Sequence, residues 1–249
     1  MARQKGIIKI HGTLDDLTFY KSQDGHLVKT KTSLDGTRIK TDPAFIRTVE
    51  NNSEFASAAK AGKLLRKGLR SFILGSADSR VTSRLTALMM KIKKLDATSI
   101  RGLRSVGTAI ALPNAMNLLQ GFNFNKRSLL GEVLFAPYTI ISATGEIDIA
   151  AFFAANNIKM PVGATHLSFT SCWAKVDFVN NIYNVQTSPA TNIAATAPAA
   201  AVSLIPTAVA TGTGTNLYLL KVQFFQMVNT VQYSLKNGAY NAVAIVQVS

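Results

Sequence analysis

The chain of 249 residues has a single cysteine, Cys172, so no disulfide can close within it and packing has to hold it together. Histidine is scarce as well. His11, His26 and His166 show no metal-ligand spacing, and six residues of extended strand would hold His166 and Cys172 about 20 Å apart, too far for a base and its nucleophile. Long apolar runs are also missing. The nearest approach, "IAATAPAAAVSLIPTAVATG", is rich in alanine and broken by Pro198 and Pro206, which argues against a spanning helix. At the start, "MARQKGIIKIHG" has no apolar region of the length a standard secretory signal needs, because Lys9 and His11 interrupt it. The location of the mature protein is therefore left open by the sequence.

Nucleotide signatures are lacking too: "AGKLL" has neither the upstream glycine nor the following Ser or Thr of a phosphate loop, and "TGTGTN" reads as a connector. Asp15 and Asp16 in "GTLDDL" suit a tight turn better than a catalytic pair, which normally converges from separate elements. These absences point to a non-enzymatic protein with no cofactor, no metal and no small-molecule substrate.

What the chain does have is positive charge, unevenly placed. Lys and Arg number 27 against 13 Asp and Glu, a formal net charge of +14. Up to Arg104 there are 21 cations and 9 acids, a net of +12, and beyond it 6 and 4, a net of +2. The first part is thus expected to meet an anion, with DNA or RNA backbone as the candidate partner. A hydrophobic content of 47% is ample for a core.

Turn chemistry separates "GIIKI", "LTFYK" and "HLVKTKT", with Asp24 and Gly25 placed for a two-residue turn, and predicts a small β-meander. Three short strands bury little apolar area alone, so the meander is expected to dock on the rest of the chain or on a neighbouring copy. Asp42 and Pro43 are a helix start, and the helix should run to about Ile73. Gly75 breaks it, and a second helix follows, capped by Ser76 or Asp78, to make an antiparallel helical hairpin.

At about 100° per residue, Lys60, Lys63, Arg66, Lys67 and Arg70 fall within an arc of about 120°, opposite Leu64, Leu65, Leu69 and Phe72. In the second helix Arg80, Arg84, Lys91 and Lys94 share one side, opposite Val81, Leu85, Leu88, Met89 and Ile92; Lys93 alone is out of place. Ordinary solvated faces interleave acids, yet none occurs from Phe55 through Ala77. The nine cations of these two faces, from Lys60 to Lys94, are therefore the candidate nucleic-acid-binding residues. With no aromatic platform among them, contact would be with phosphates and indifferent to base sequence.

After a short helix opened by Pro113 and ended by Gly121, the pattern becomes β-rich, and Leu167, Phe169 and Trp173 share the parity of a core face. The expected fold class is α+β: a basic meander with a helical region over residues 1–121, then an antiparallel β-sandwich or jelly roll over 122–249. From Phe178 through Leu220 there is no charged residue or histidine, the mark of a surface covered by another subunit. Ala200, Val202, Leu204, Ile205 and Val209, together with Ile7, Ile8 and Ile10 of the first strand, are the expected self-assembly residues.

The runs "MARQKGIIKIHGTLDDLTFYKSQDGHLVKTK", "DGTRIKTDPAFIRTVENNSEFASAAKAGKLLRKGLR" and "YSLKNGAYNAVAIVQV" together resemble a group of uncharacterised proteins common in Bacteroidota. That resemblance spans nearly the whole chain and implies the same order of parts, with no catalytic residues. The function expected from the residues is a self-assembling structural subunit of a filament, tube or capsid-like shell, with itself as partner. The alternatives are a soluble, sequence-neutral nucleic-acid-binding protein, or a surface or matrix adhesion protein.

Overall fold

The computed structural model describes residues 2–31 and 36–249, residue 237 by its backbone. It is a mixed helix and sheet structure with a curled antiparallel sheet toward the C-terminus. Two compact units divide the chain, residues 1–50 and 51–249.

In the first unit, β1 (Ala2–Arg3), β2 (Gly12–Leu14), β3 (Leu17–Ser22) and β4 (Gly25–Thr30) form one antiparallel sheet in the order β1-β4-β3-β2. The strand expected over Gly6–Ile10 is absent. Because β1 and β2 are opposite edges, the chain between them has to bridge the sheet rather than pair with it. It does so as a pinned loop. The Gln4 side chain donates to the carbonyls of Ile10 (3.3 Å) and Leu27 (3.2 Å) and accepts from the Ile10 N–H (3.0 Å), while Lys9 Nζ donates to the carbonyls of Gln4 and Gly6, both at 2.7 Å. Ser22 pairs with Gly25, so the β3–β4 turn is Gln23–Asp24, one residue earlier than the sequence suggested. Thr32, expected to end this strand, lies outside the described residues. The helix α1 (Gly36–Thr41) follows, and the Asp42 side chain accepts from the Ala44 N–H (2.9 Å) to cap a 3-10 turn at Pro43–Phe45.

The helix α2 (Ile46–Gly68) comes next, with α3 (Arg70–Ile73), and Gly75 at φ +72° stops the run. The helix α4 (Val81–Lys93) returns antiparallel, Gly62 lying against Leu85 and Met89 and Glu54 meeting Lys93. Short helices α5 (Val106–Ala109), α6 (Pro113–Leu119) and α7 (Leu130–Val133) lead into β5 (Thr139–Ile141) and β6 (Glu146–Phe152). After α8 (Ala154–Asn157) come β7 (His166–Asp177), β8 (Ile182–Thr187), β9 (Thr191–Ala194), β10 (Ala200–Leu204), β11 (Thr215–Val228), β12 (Val231–Ser234) and β13 (Ala242–Val248).

The long strands β7 and β11 pair along eleven residues and form the middle of a six-stranded sheet; β8 and β9 line the outer edge of β7, and β13 and β12 that of β11. Alternation along these strands sends side chains to two cores. Cys172, Ala174, Leu217, Leu219, Val243 and Ile245 pack with Leu65, Leu69, Leu85 and Ile92 of the helices. From the opposite face Leu167, Phe169, Leu220 and Val222 pack with Ile147, Ile149, Val202 and Leu204 of a three-stranded sheet, β10-β6-β5. The first of these cores runs through the boundary expected at residues 121 and 122. Leu167, Phe169 and Trp173 are buried on the face their parity indicated. Trp173 presses so close to Gly145, at φ +74°, that a Cβ there would lie 2.5 Å from the indole ring.

Candidate anion-binding groove

The acid-free run from α2 into α3 turns its apolar side inward, and Ala58, Leu65 and Leu69 are fully buried. Its opposite side presents Lys63, Arg66, Lys67 and Arg70, which with Ile73, Leu74 and Val81 line an open groove of about 500 Å³ between α2–α3 and the start of α4. None of the four cations has an ion-pair partner among the described residues, and no carboxylate lines the groove. The rest of its lining is mainly apolar, with Leu74 72% exposed.

A second groove, about 530 Å³, adjoins the first across Gly75 and Ala77 and is lined by Arg80, Lys126 and Arg127 together with Asp78. Asp78 is fully engaged. Its Oδ1 accepts from the Arg80 N–H (2.7 Å), and its Oδ2 from the Lys126 N–H (2.9 Å) and Arg84 Nη2 (2.6 Å). Burial pushes its carboxyl up, but these donors win and hold it below the usual carboxylate range.

The nine expected cations do not form one continuous ridge. Lys60 lines a different hollow, with Ser105 and Thr108 of the α5 start and Val179 of the β7–β8 turn. Lys91 and Lys94 are exposed, but Lys91 lies ten residues beyond Val81, about 15 Å along α4. Arg84 is a structural residue. Besides Asp78 it donates to the carbonyls of Asn123 (2.8 Å) and Phe124 (3.0 Å), and its guanidinium lies 5.1 Å from the Phe122 ring centroid. It is not an exposed anion contact because the 122–126 segment folds over it.

Lys93, out of place in the angular pattern, is buried in an ion pair with Glu54, whose other oxygen accepts from the Gly102 N–H (2.9 Å). The Lys93 hydrogen bond, with that of Gly102, holds the Glu54 carboxyl low. Lys126 and Arg127 were missed by sequence reasoning; they stand in a loop after Gly121, and only folding brings them beside Arg80.

Of the expected self-assembly residues, Ile7, Ile8, Ile10, Ala200, Ile205 and Val209 are exposed. Val202 and Leu204 are not available to a partner. They are 3% and 1% exposed because β10 pairs with β6 and turns every second side chain into the chain's own core.

Among the described residues no three His, Cys, Asp or Glu gather as a metal site, and no helix is long and apolar enough to cross a membrane. Burial pushes the Cys172 thiol up, away from the reactive thiolate. Comparisons with family models, curated proteins and solved structures return no match.

Proposed function

We propose that this protein is a self-assembling structural subunit of a filament, tube or capsid-like shell. One observation carries this reading: no described residue of the first unit is buried, although its four-stranded sheet displays Leu14 and Leu17 and the loop between β1 and β2 displays Ile7, Ile8 and Ile10. A sheet gains stability by covering a face, and exposed apolar residues concentrated in one small unit mark a surface that a partner covers. The second unit supplies a rigid body for such contacts, and its two stacked sheets are read as a sandwich with helices on one outer face. Ala200, Ile205 and Val209 extend the charge-free surface that favours protein contact.

Sedimentation velocity with negative-stain microscopy tests this. Regular particles or fibres are expected from the purified protein. Ala200→Asp with Val209→Lys, both at exposed sites, should yield smaller folded species. A monomer at high concentration would end the reading.

Sequence-neutral nucleic-acid binding is the second reading, favoured by the two adjoining grooves lined by Lys63, Arg66, Lys67, Arg70, Lys126 and Arg127. It predicts a logarithmic salt slope of about −0.9 per duplex phosphate neutralised, and Lys126→Glu with Arg127→Glu should reduce it by about two. Affinity for a mixed-sequence duplex that is flat with salt would exclude it.

A further inference from the structure

We infer that the groove of Lys63, Arg66, Lys67 and Arg70 receives the Asp15–Asp16 turn of a second copy of this chain, joining subunits head to tail. This rests on the self-assembly reading and names its contact. The turn is the tip of the β2–β3 hairpin. Leu14 pairs with Leu17, leaving Asp15 and Asp16 as a two-residue connection, with Asp15 in the left-handed region at φ +45°. Both aspartates are exposed, and neither carboxylate has a partner among the described residues. The flanking Leu14 and Leu17 are 63% and 44% exposed.

Carboxylates able to answer the groove are few. Glu54, Asp96 and Asp177 are buried and engaged, and Asp78 is taken by Arg84. Asp42 and Glu50 are in ion pairs, and Glu146 accepts from Ser203. Asp24 is engaged, Asp148 is half-buried and Glu132 is a single exposed charge, whereas Asp15 and Asp16 are two adjacent exposed charges with no partner among the described residues. The groove offers the complement in both respects, lined by four cations and by the apolar Ile73, Leu74 and Val81. A nucleic-acid phosphate would satisfy the cations and leave the apolar lining wet, whereas an acidic turn flanked by leucines satisfies both. Clefts of about 300–1,000 Å³ suit ligands the size of such a turn. Because turn and groove are different patches, the contact is heterologous and propagates into a ring or a filament.

Charge reversal with complementation tests the pairing. Asp15→Lys with Asp16→Lys makes the turn positive, and Arg66→Glu with Arg70→Glu makes the groove negative. Each variant alone should sediment as a monomer. An equimolar mixture of the two should assemble, as should one chain carrying all four changes, since opposite charges then meet again. Asp15→Asn with Asp16→Asn keeps the turn chemistry and should weaken association at least tenfold, so a folding defect of the lysine variant cannot mimic the result. Either reversal variant assembling like the unmodified protein, or a mixture that stays monomeric, would overturn this contact and leave self-assembly standing. An unmodified protein that is monomeric throughout would remove both. Assembly that requires an added mixed-sequence duplex and ignores the turn reversal would overturn it in favour of phosphate in the groove.

Discussion

In residues 51–249 the side chains of Leu65, Leu69, Leu85, Met89 and Ile92 are fully buried, whereas in residues 1–50 Ile7 and Ile8 stand 102% and 84% exposed. Each unit is built from regular elements, yet only one is held by an apolar core. Burying a large aliphatic side chain contributes about 1.5–3 kcal/mol, so the second unit accumulates stability that the first does not. Local devices hold the first unit instead: the Gln4 and Lys9 hydrogen bonds, and the Lys29 ammonium 5.8 Å from the Tyr20 ring centroid. The lesson is one of division. One unit is closed around its own core, and the other leaves its large apolar side chains exposed.

Deleting residues 2–31 breaks the comparison most directly. Self-association should be lost entirely while the second unit still melts cooperatively, read by sedimentation and calorimetry on one sample. Loss of the melt would mean that the strands belong to the subunit's own core.

The next largest effect is expected at the buried ion pair. Glu54→Ala or Lys93→Ala strands an uncompensated charge and should cost about 3–5 kcal/mol in denaturant unfolding, whereas replacing both by apolar residues should cost much less. A cavity sharpens the contrast between the units. Leu85→Ala should destabilise by about 2–5 kcal/mol, and Ile8→Ala should change stability by less than about 0.5 kcal/mol.

A weaker effect is expected from acid. The Asn180 backbone and side chain, then Thr213 and the Val179 N–H, bind the Asp177 carboxylate and lower its pKa to about 2. A depressed folded-state pKa means stability that is present above the unfolded value, about 3.9, and is lost as pH falls through about 2. Asp177→Asn should therefore flatten the fall in unfolding midpoint over that window and leave the midpoint's response near neutral pH unaltered. The smallest effect is expected at the groove. Arg66→Glu with Arg70→Glu should leave the melting of the second unit within about 0.5 kcal/mol of the unmodified protein, because both positions lie opposite the apolar face.

The helical hairpin was legible in the chain because its apolar positions repeat with the helix period and Gly75 punctuates it, and Pro113 opens α6 as expected. The burial of Leu167, Phe169 and Trp173 was legible from strand parity, and the Asp15–Asp16 turn from its residues. The Gly6–Ile10 segment was misread since β-branched residues favour a strand only where a neighbouring strand is free to pair, and here both edges lie elsewhere. Val202 and Leu204 were assigned to an interface because lack of charge is shared by inner and outer faces of a strand.

By itself the sequence determined the amphipathic helices, the alternating strands and the concentration of positive charge before residue 105, all of which follow from local periodicity and composition. Which cations stay available was decided by tertiary structure alone. Arg84 and Lys93 differ little in type from Arg66 and Lys67, but the 122–126 segment and Glu54 reach the first two, and among the described residues no acid pairs with the others. That pairing depends on contacts between residues about forty positions apart, and no local pattern encodes them.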